Sequence, residues 1–206
     1  HIREALLTPI AKSYGSDIGV EVSSLGVQVH GGMGFVEETG AAQHYRDSRI
    51  APIYEGTNGI QAIDLVGRKL RRDGGSGMNA LMVDLKKIYN LANTSSLDLT
   101  ECSLSLKEGI QTLELATDIM LQADEIDALS AATPYLNIVA SVISGAFIMK
   151  AVVNGAIAGD ENTENMISLC NYHLKSIMPL AKNSIEFLKS PNKLVFDFPR
   201  EQLADL

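Results

Sequence analysis

The most informative sequence begins Gln28-Val29-His30-Gly31-Gly32-Met33-Gly34 and continues, after a polar segment, with Tyr45-Arg46-Asp47-Ser48-Arg49-Ile50 and Ile53-Tyr54-Glu55-Gly56-Thr57. The glycines predict two tight turns on either side of a short amphipathic helix. The second turn places a carboxylate, Glu55, between an aromatic residue and a glycine, just before the next helix. Backbone amides in such a loop are free to hold a substrate, so any catalytic role is expected to depend on this region.

The sequence around these motifs predicts short helices and almost no strands. A helix is predicted from Pro9 to Tyr14 with Gly15 as its stop, and a second from residue 18 to 29 with Ser16-Asp17 as its cap. A third helix is predicted over residues 41–49. A fourth is predicted over residues 58–72, where Asn58 and Gln61 have the spacing of a capping box.

The later part of the chain predicts a helical bundle. The run Asp73-Gly74-Gly75-Ser76-Gly77 is interpreted as a linker. After it, apolar residues recur at helical spacing over 78–92, 104–123, 136–158 and 166–188, with Pro179 expected to kink the last helix. Residues 194–198 alternate apolar and polar, which indicates an extended tail. The prediction is therefore an all-α chain divided at residue 73, with an antiparallel bundle over residues 74–206.

Composition and charge exclude several functional classes. The chain has 206 residues, of which 46% are hydrophobic and 20% are charged, and this predicts a globular protein. The net charge of −8 arises wholly in residues 73–206, which carry nine basic and seventeen acidic side chains. Such an acidic chain, poor in aromatic residues, is not expected to bind nucleic acid. The acidic part is interpreted as a solvated face or a subunit contact.

The cysteines and the apolar segments bear on location. Cys102 and Cys170 have no metal-binding spacing, so they are expected to be free, partly buried thiols, no metal site is predicted, and a cytoplasmic location is favoured. Residues 138–158 are apolar but include Lys150 and Asn154, which favours a buried helix over a membrane span.

The first residues of the chain do not have the pattern of a signal peptide. The chain begins with His1 and not with an initiator Met, so it is expected to be a piece of a longer protein.

The chemistry open to the Glu55 loop can be stated from its residues. Removal of a proton from the α-carbon of a thioester needs a positioned carboxylate, donors for the thioester oxygen and an electron acceptor. Glu55 can supply the carboxylate and its amide a donor, while Gly56 allows close approach of a flat substrate. No side chain here accepts a hydride, so a cofactor is required. The residues alone leave a simpler alternative open, in which the glycines end helices and Glu55 is a solvated loop carboxylate.

Residues 28–68 resemble the C-terminal helical domain of the FAD-dependent acyl-CoA dehydrogenases. The resemblance rests on the three motifs quoted above, in the same order and spacing, with Asn58-Gly59-Ile60-Gln61 extending the third. It implies that Glu55 is the catalytic base and that Tyr54 and Gly56 contact the substrate. It implies contacts to FAD from residues Gln28, Val29, His30, Gly31, Gly32, Thr57 and Asn58. Of these, Gln28, Gly31 and Gly32 would reach the adenine-diphosphate part of FAD, typically in a neighbouring subunit, and Thr57 and Asn58 would contact the flavin.

The resemblance also implies a larger protein. Members of the family have an N-terminal helical domain and a middle β-domain, which have no counterpart in this sequence. Residues 74–206 resemble an extra helical domain of a subset of larger members, including the methylmercaptopropionyl-CoA dehydrogenases. The intact enzyme is expected to oxidise an acyl-CoA in fatty acid metabolism, to act as a homo-dimer or tetramer, and to pass electrons to an electron-transfer flavoprotein.

Two other functions are compatible with the sequence. One is a non-catalytic helical interaction module in which the site survives only as architecture. The other is an acyl-CoA oxidase that uses the same base and passes electrons to oxygen. Acyl-chain preference, the physiological acceptor and the role of residues 74–206 do not follow from the sequence.

Overall fold

The computed structural model describes residues 2–189, and no strand occurs among them. Helices and short turns account for this whole range, which confirms the predicted all-α fold. The N-terminal third contains α1 (Ile2–Val29), α2 (Gly32–Phe35), a 3₁₀ turn (Glu37–Thr39), α3 (Ala41–Ser48) and α4 (Asn58–Ile63). Helix α4 continues without a break into a wider π-helical segment, Asp64–Arg71.

The first helix differs from the prediction. The sequence predicts two helices separated at Gly15, but α1 runs unbroken through both Pro9 and Gly15, so that prediction is wrong. Pro9 is buried on the same face as Leu6 and Ile10, and this packing against the core outweighs the lost backbone donor. The Ser16 hydroxyl, expected to cap a new helix, instead donates to the carbonyl of Lys12 one turn earlier.

The start of α4 also differs in detail. Thr57, not Asn58, is the N-cap, and its hydroxyl accepts from the Ile60 amide at 3.3 Å. Gln61 does not complete a capping box, because its side-chain amide donates to the carbonyl of Glu55 at 3.1 Å. The N-cap is therefore one residue earlier than predicted, no capping box forms, and Gln61 supports the preceding loop.

The glycine-rich run after the π-helical segment forms a compact turn, and α5 (Ser76–Asn93) begins within it. Gly74 and Gly75 have φ values of 62° and 82°, which favour glycine. The Asp73 carboxylate accepts from the amides of Gly75 and Gly77, both at 2.9 Å. Apolar residues on both sides of this turn belong to the same hydrophobic cluster. The division of the chain at residue 73 stays a prediction.

The remaining helices form the predicted bundle. They are α6 (Thr100–Gln122), α7 (Glu125–Ser130), α8 (Ala132–Ala158), α9 (Thr163–Tyr172), a π-helical turn (His173–Ile177), α10 (Met178–Lys182) and α11 (Ile185–Lys189). Lys86 in the middle of α5 pairs with Glu114 of α6. Gly75, just before α5, lies against Leu121 at the C-terminal end of α6. These two contacts make α5 and α6 antiparallel.

Helix α8 is the centre of the bundle. It contacts α1, α4, α5, α6 and α9. Tyr135 bonds to Thr117 at 3.0 Å near one end, and the His173 ring bonds to the Ser141 carbonyl at 2.8 Å, so that α8 joins α6 to the last helices. Helix α8 is long and apolar enough to cross a membrane, but 67% of its most apolar window is buried within the fold. This burial agrees with the interpretation of residues 138–158 as a core helix.

Pro179 loosens the last helix as predicted. The π-helical turn His173–Ile177 lies directly before the helix that has Pro179 in its first turn, and the Met178 amide donates to the His173 carbonyl five residues earlier. Proline lacks the donor that would continue the tighter pattern. The predicted extended tail at 194–198 lies outside the described residues.

The two cysteines are free and buried, which confirms the predicted free thiols. The Cys102 thiol donates to the side-chain carbonyl of Asn171 at 3.1 Å. A hydrogen bond to Cys102, together with burial, raises the pKa of the Cys170 thiol. Both thiols are therefore part of the packing between α6 and α9.

Candidate active site

Glu55 lies in the loop between α3 and α4, with a backbone conformation that side chains rarely adopt. Its φ is 54°, and among residues 2–189 it is the one residue other than glycine with a positive φ. Gly56 follows with a φ of 84°, so the chain makes two consecutive left-handed steps. A non-glycine residue in this region costs on the order of 1–3 kcal/mol and persists only when its surroundings fix it.

Two side chains fix this strained loop through its carbonyl groups. The Gln61 side-chain amide donates to the carbonyls of Glu55 and Gly56, at 3.1 and 3.4 Å. The Lys12 ammonium donates to the Gly56 carbonyl at 2.9 Å from the middle of α1. A Cβ at residue 56 would lie 3.1 Å from the Gln61 side-chain nitrogen, so glycine also leaves room for that donor. The loop is therefore fixed by polar bonds from two directions.

The loop leaves its chemical groups accessible. The side chains of Tyr54 and Glu55 are exposed, Tyr54 at 51%. No backbone or side-chain acceptor within residues 2–189 takes a hydrogen bond from the Glu55 amide. A carboxylate and an unused amide thus belong to the same residue, as acid–base chemistry beside a carbonyl oxygen requires.

Thr57 and Asn58, predicted to contact a cofactor, have their side chains engaged within the chain. The Thr57 hydroxyl caps α4. The Asn58 side chain accepts from Lys12 at 2.8 Å and donates to Asp17 at 2.7 Å and to the Ser16 hydroxyl at 2.9 Å. Both residues lie close to Glu55, and their predicted contacts with FAD stay predictions.

The glycine-rich turn after α1 is the second predicted part of the site. Val29 ends α1, and the His30 ring bonds to the Gly26 carbonyl at 2.8 Å, so His30 is held at the helix end. Gly31 follows with a φ of 61°. Gly34 is buried, and a Cβ there would lie 2.2 Å from the Val27 carbonyl oxygen, which explains this glycine sterically. The predicted contact residues of this turn are all exposed: Gln28, Val29, His30, Gly31 and Gly32.

The two predicted parts of the site are not adjacent. The Glu55 loop is joined to α1 at Lys12 and Ser16, whereas the glycine-rich turn follows the C-terminal end of that helix at Val29. Twelve residues of α-helix separate Ser16 from Gln28, a rise of about 18 Å. A small ligand cannot contact both, so the two parts must serve an extended ligand or different molecules.

A large opening lies beside the glycine-rich turn, and Glu55 is not among its lining residues. It has a volume of about 780 Å³ and is lined mainly by apolar groups, among them Val27, Phe35 and Tyr45, with Arg49 at its edge. Arg46, another lining residue, pairs with Glu37 at 2.6 Å. No group of three His, Cys, Asp or Glu side chains within residues 2–189 could hold a metal ion.

Sequence reasoning missed Lys12, and it assigned Gln61 to a different role. Lys12 is separated by 44 positions from the carbonyl that it binds, so no local pattern points to it. Gln61 was predicted to cap its own helix, a role that its type and spacing fit equally well. Contact between α1 and α4 is the information that the sequence lacks.

Residues 3–70 match the family model described as acyl-CoA dehydrogenase, C-terminal domain. Over 69 residues the chain is 67% identical to 3-methylmercaptopropionyl-CoA dehydrogenase of Ruegeria pomeroyi, a match that covers 34% of this chain and 12% of that protein. It is 25% identical over 201 residues to a broad-specificity linear acyl-CoA dehydrogenase of Mycobacterium tuberculosis, covering 90% of this chain and 33% of that one. The chain therefore spans one third or less of these relatives.

A solved structure has the same fold. The acyl-CoA dehydrogenase of Bacillus anthracis, complexed with FAD, superimposes with a TM-score of 0.67 and 21% identity. The superposition covers 97% of this chain and 35% of that one. The likeness therefore extends through the helical bundle as well as the region of the family match.

Proposed function

We propose that this chain, whose residues 3–70 belong to the C-terminal domain family of the acyl-CoA dehydrogenases, is part of an FAD-dependent enzyme that oxidises acyl-CoA to trans-2-enoyl-CoA. The observation that carries this proposal is the strained backbone at Glu55, held at an exposed loop. Strain of this kind concentrates at functional sites, because packing alone gives no reason to keep it. The simpler interpretation, a solvated carboxylate, does not account for it.

The residues present fit an extended flavin cofactor. The glycine-rich turn and the Glu55 loop lie about 18 Å apart along α1, so they would contact different parts of FAD. A Cβ at either Gly31 or Gly32 would meet nothing within 4 Å, so this turn leaves space for a ligand. Residues 28–32 would contact the adenine-diphosphate part of FAD, typically that of a neighbouring subunit, and Thr57 and Asn58 would contact the flavin. When bound, FAD supplies the acceptor for the substrate hydride.

Glu55 is the proposed general base. Its carboxylate takes the proton from the α-carbon of the acyl group, while its amide donates to the thioester oxygen and stabilises the charge that develops there. Gly56 allows the flat thioester to lie against the backbone, and Tyr54 forms one wall. The exposed carboxylate is expected to lose contact with water when the substrate and the rest of the enzyme close over it.

An exposed apolar surface supports the view that more protein covers this region. Between residues 18 and 63 the large apolar side chains are widely exposed, with Val29 at 85% and Phe35 at 83%. The family resemblance provides the further proposals of a homo-dimer or tetramer and of an electron-transfer flavoprotein as acceptor. The free cysteines support the proposal of a cytoplasmic location. The relative from Ruegeria pomeroyi makes 3-methylmercaptopropionyl-CoA a first candidate substrate.

The test is the turnover of the full-length protein with Glu55→Gln, assayed with 3-methylmercaptopropionyl-CoA and butyryl-CoA. Loss of a general base is expected to lower turnover at least about 100-fold, because the amide keeps the shape but accepts no proton. Glu161→Gln, at an exposed carboxylate far along the sequence, is the control and should match the unmodified protein. Turnover by Glu55→Gln within a few-fold of the control would reject the proposal.

The same assay separates the alternatives. Hydrogen peroxide released in proportion to acyl-CoA consumed would identify an oxidase. A full-length protein that binds no flavin and turns over no acyl-CoA would identify the non-catalytic helical module. The isolated 206-residue chain is expected to retain almost no FAD, since every predicted cofactor contact except Asn58 is exposed. A stoichiometric flavin spectrum after its purification would contradict that expectation.

A further inference from the structure

We infer that Lys12 is a positioning residue for Glu55, an inference that rests on the proposed function. Lys12 lies in the middle of α1 and its ammonium group is half-buried. It donates two hydrogen bonds, to the Gly56 carbonyl at 2.9 Å and to the Asn58 side-chain carbonyl at 2.8 Å. Both acceptors lie within three residues of Glu55, in the loop and in the first turn of α4.

The position of this lysine runs against ordinary helix electrostatics. The N-terminal end of a helix carries partial positive charge, so a cation beside the start of α4 is unfavourable by itself. The two accepting carbonyl groups offset this repulsion, because bonds from a charged donor are roughly twice as strong as neutral ones. Asp17 accepts from the Asn58 side-chain nitrogen at 2.7 Å and adds a nearby negative charge. Lys12 therefore holds the loop in place although its charge is unfavourable beside the N-terminal end of α4.

The bonds to the carbonyls also set the direction of the amides. No cis peptide bond occurs among the described residues, so each N–H points away from the carbonyl of the same peptide unit. Gln61 fixes the Glu55 carbonyl, and this turns the Gly56 amide to the opposite side. Lys12 fixes the next carbonyl along. Together they hold the two peptide units on either side of the Gly56 Cα. This fixes the backbone of Gly56 and limits how far Glu55, directly before it, can relax from its positive φ.

Asn58 extends this support into α1. Its side-chain oxygen accepts from Lys12, and its two N–H hydrogens have three acceptors within hydrogen-bond distance, the Ser13 carbonyl, the Ser16 hydroxyl and Asp17. These bonds occupy both hydrogens of the side-chain amide. The Lys12–Asn58 pair therefore joins the first turn of α4 rigidly to the middle of α1, and the loop before α4 takes its position from both.

Lys12→Met in the full-length flavoprotein removes the charge and the donor while keeping the length of the side chain. If Lys12 positions Glu55, kcat per bound flavin falls about 10- to 100-fold, since small misplacement of a reacting group has effects of this size. KM for acyl-CoA and the FAD content should change little. Lys12→Arg, which restores a charged donor, should recover most of the lost kcat.

Lys182→Met is the matched control. Lys182 also joins two elements, pairing with Glu108 of α6 from α10 at 2.9 Å, and its side chain is 32% exposed. It should leave kcat per bound flavin unchanged. Unchanged kcat per bound flavin in Lys12→Met would overturn the inference, as would equal losses in Lys12→Met and Lys12→Arg.

A second readout on the 206-residue chain does not depend on activity. A positive φ brings the amide and α-protons of Glu55 close together, so their intraresidue NOE is strong. Lys12→Met should weaken this NOE and Lys182→Met should not; an unchanged NOE in Lys12→Met would overturn the inference. Failure of the proposed function is distinguishable, because it would appear as normal turnover in Glu55→Gln, whatever the result for Lys12.

Discussion

The helical bundle and the Glu55 loop are stabilised in opposite ways. In the bundle, α8 buries Tyr135, Leu136 and Met149 completely, and its shape follows from apolar packing. In the loop, Glu55 and Gly56 are exposed and their conformation depends on two side-chain donors, Lys12 and Gln61. Substitutions should therefore change stability mainly in the bundle and activity mainly in the loop.

The sharpest contrast in stability is between Leu136→Ala and Phe35→Ala. Leu136 is fully buried, so its truncation leaves a cavity and should lower the free energy of unfolding by about 2–5 kcal/mol. Phe35 is 83% exposed, and its truncation should change that free energy by less than about 0.5 kcal/mol. Chemical denaturation of the 206-residue chain measures both. Equal losses would show that the two regions are packed alike.

Helical glycines provide the next contrast. A Cβ at residue 145 would lie 2.6 Å from a methyl group of Leu174 and 3.1 Å from the His173 ring, so Gly145→Ala should cost about 1–3 kcal/mol through overpacking. A Cβ at residue 26 in α1 would meet nothing within 4 Å. Gly26→Ala should instead stabilise the chain by about 0.5–1 kcal/mol through helix propensity. Thermal unfolding of both variants tests the opposite signs.

The smallest effect appears only at high pH. Burial raises the pKa of Tyr135 above its usual value of 10.0, against the smaller opposing influence of its bond to Thr117. A phenol whose pKa is raised on folding contributes stability that is complete below about pH 10 and is lost as pH rises further. The loss attributable to this residue is about 1.4 kcal/mol per pH unit. Tyr135→Phe should lack this part of the alkaline loss, and denaturation at pH 9 and pH 11 checks it.

The bundle could be predicted from the sequence because apolar residues at helical spacing report directly on which face is buried. Met78, Leu81, Leu85 and Ile88 are all buried, as their spacing indicates. Glu55 was selected by its neighbours and by the family resemblance, but its backbone conformation was not predictable. Glutamate does not favour a positive φ, and the contacts of Gln61 and Lys12 that hold the loop come from residues distant along the sequence.

The unbroken α1 was missed for a related reason. Pro9 and Gly15 are ordinary signals of a helix end, yet both lie within one helix of twenty-eight residues. Burial of Leu6, Pro9 and Ile10 against the bundle outweighs these local preferences. The unbroken α1 also places Lys12 beside the Glu55 loop. The wrongly predicted break in this helix and the failure to identify Lys12 therefore have the same origin, which is tertiary packing that local sequence signals do not report.

The central claim is that the strained backbone at Glu55 serves to place its carboxylate for catalysis and does not stabilise the fold. Glu55→Gly tests this directly, because glycine adopts the positive φ without strain but has no carboxylate. In the 206-residue chain the variant should be as stable as the original or more stable by up to about 1 kcal/mol. The decisive measurement is the rate at which acyl-CoA reduces the flavin of the full-length protein carrying this substitution. We expect the rate of flavin reduction to fall at least about 100-fold. A rate close to that of the unmodified protein would contradict the claim.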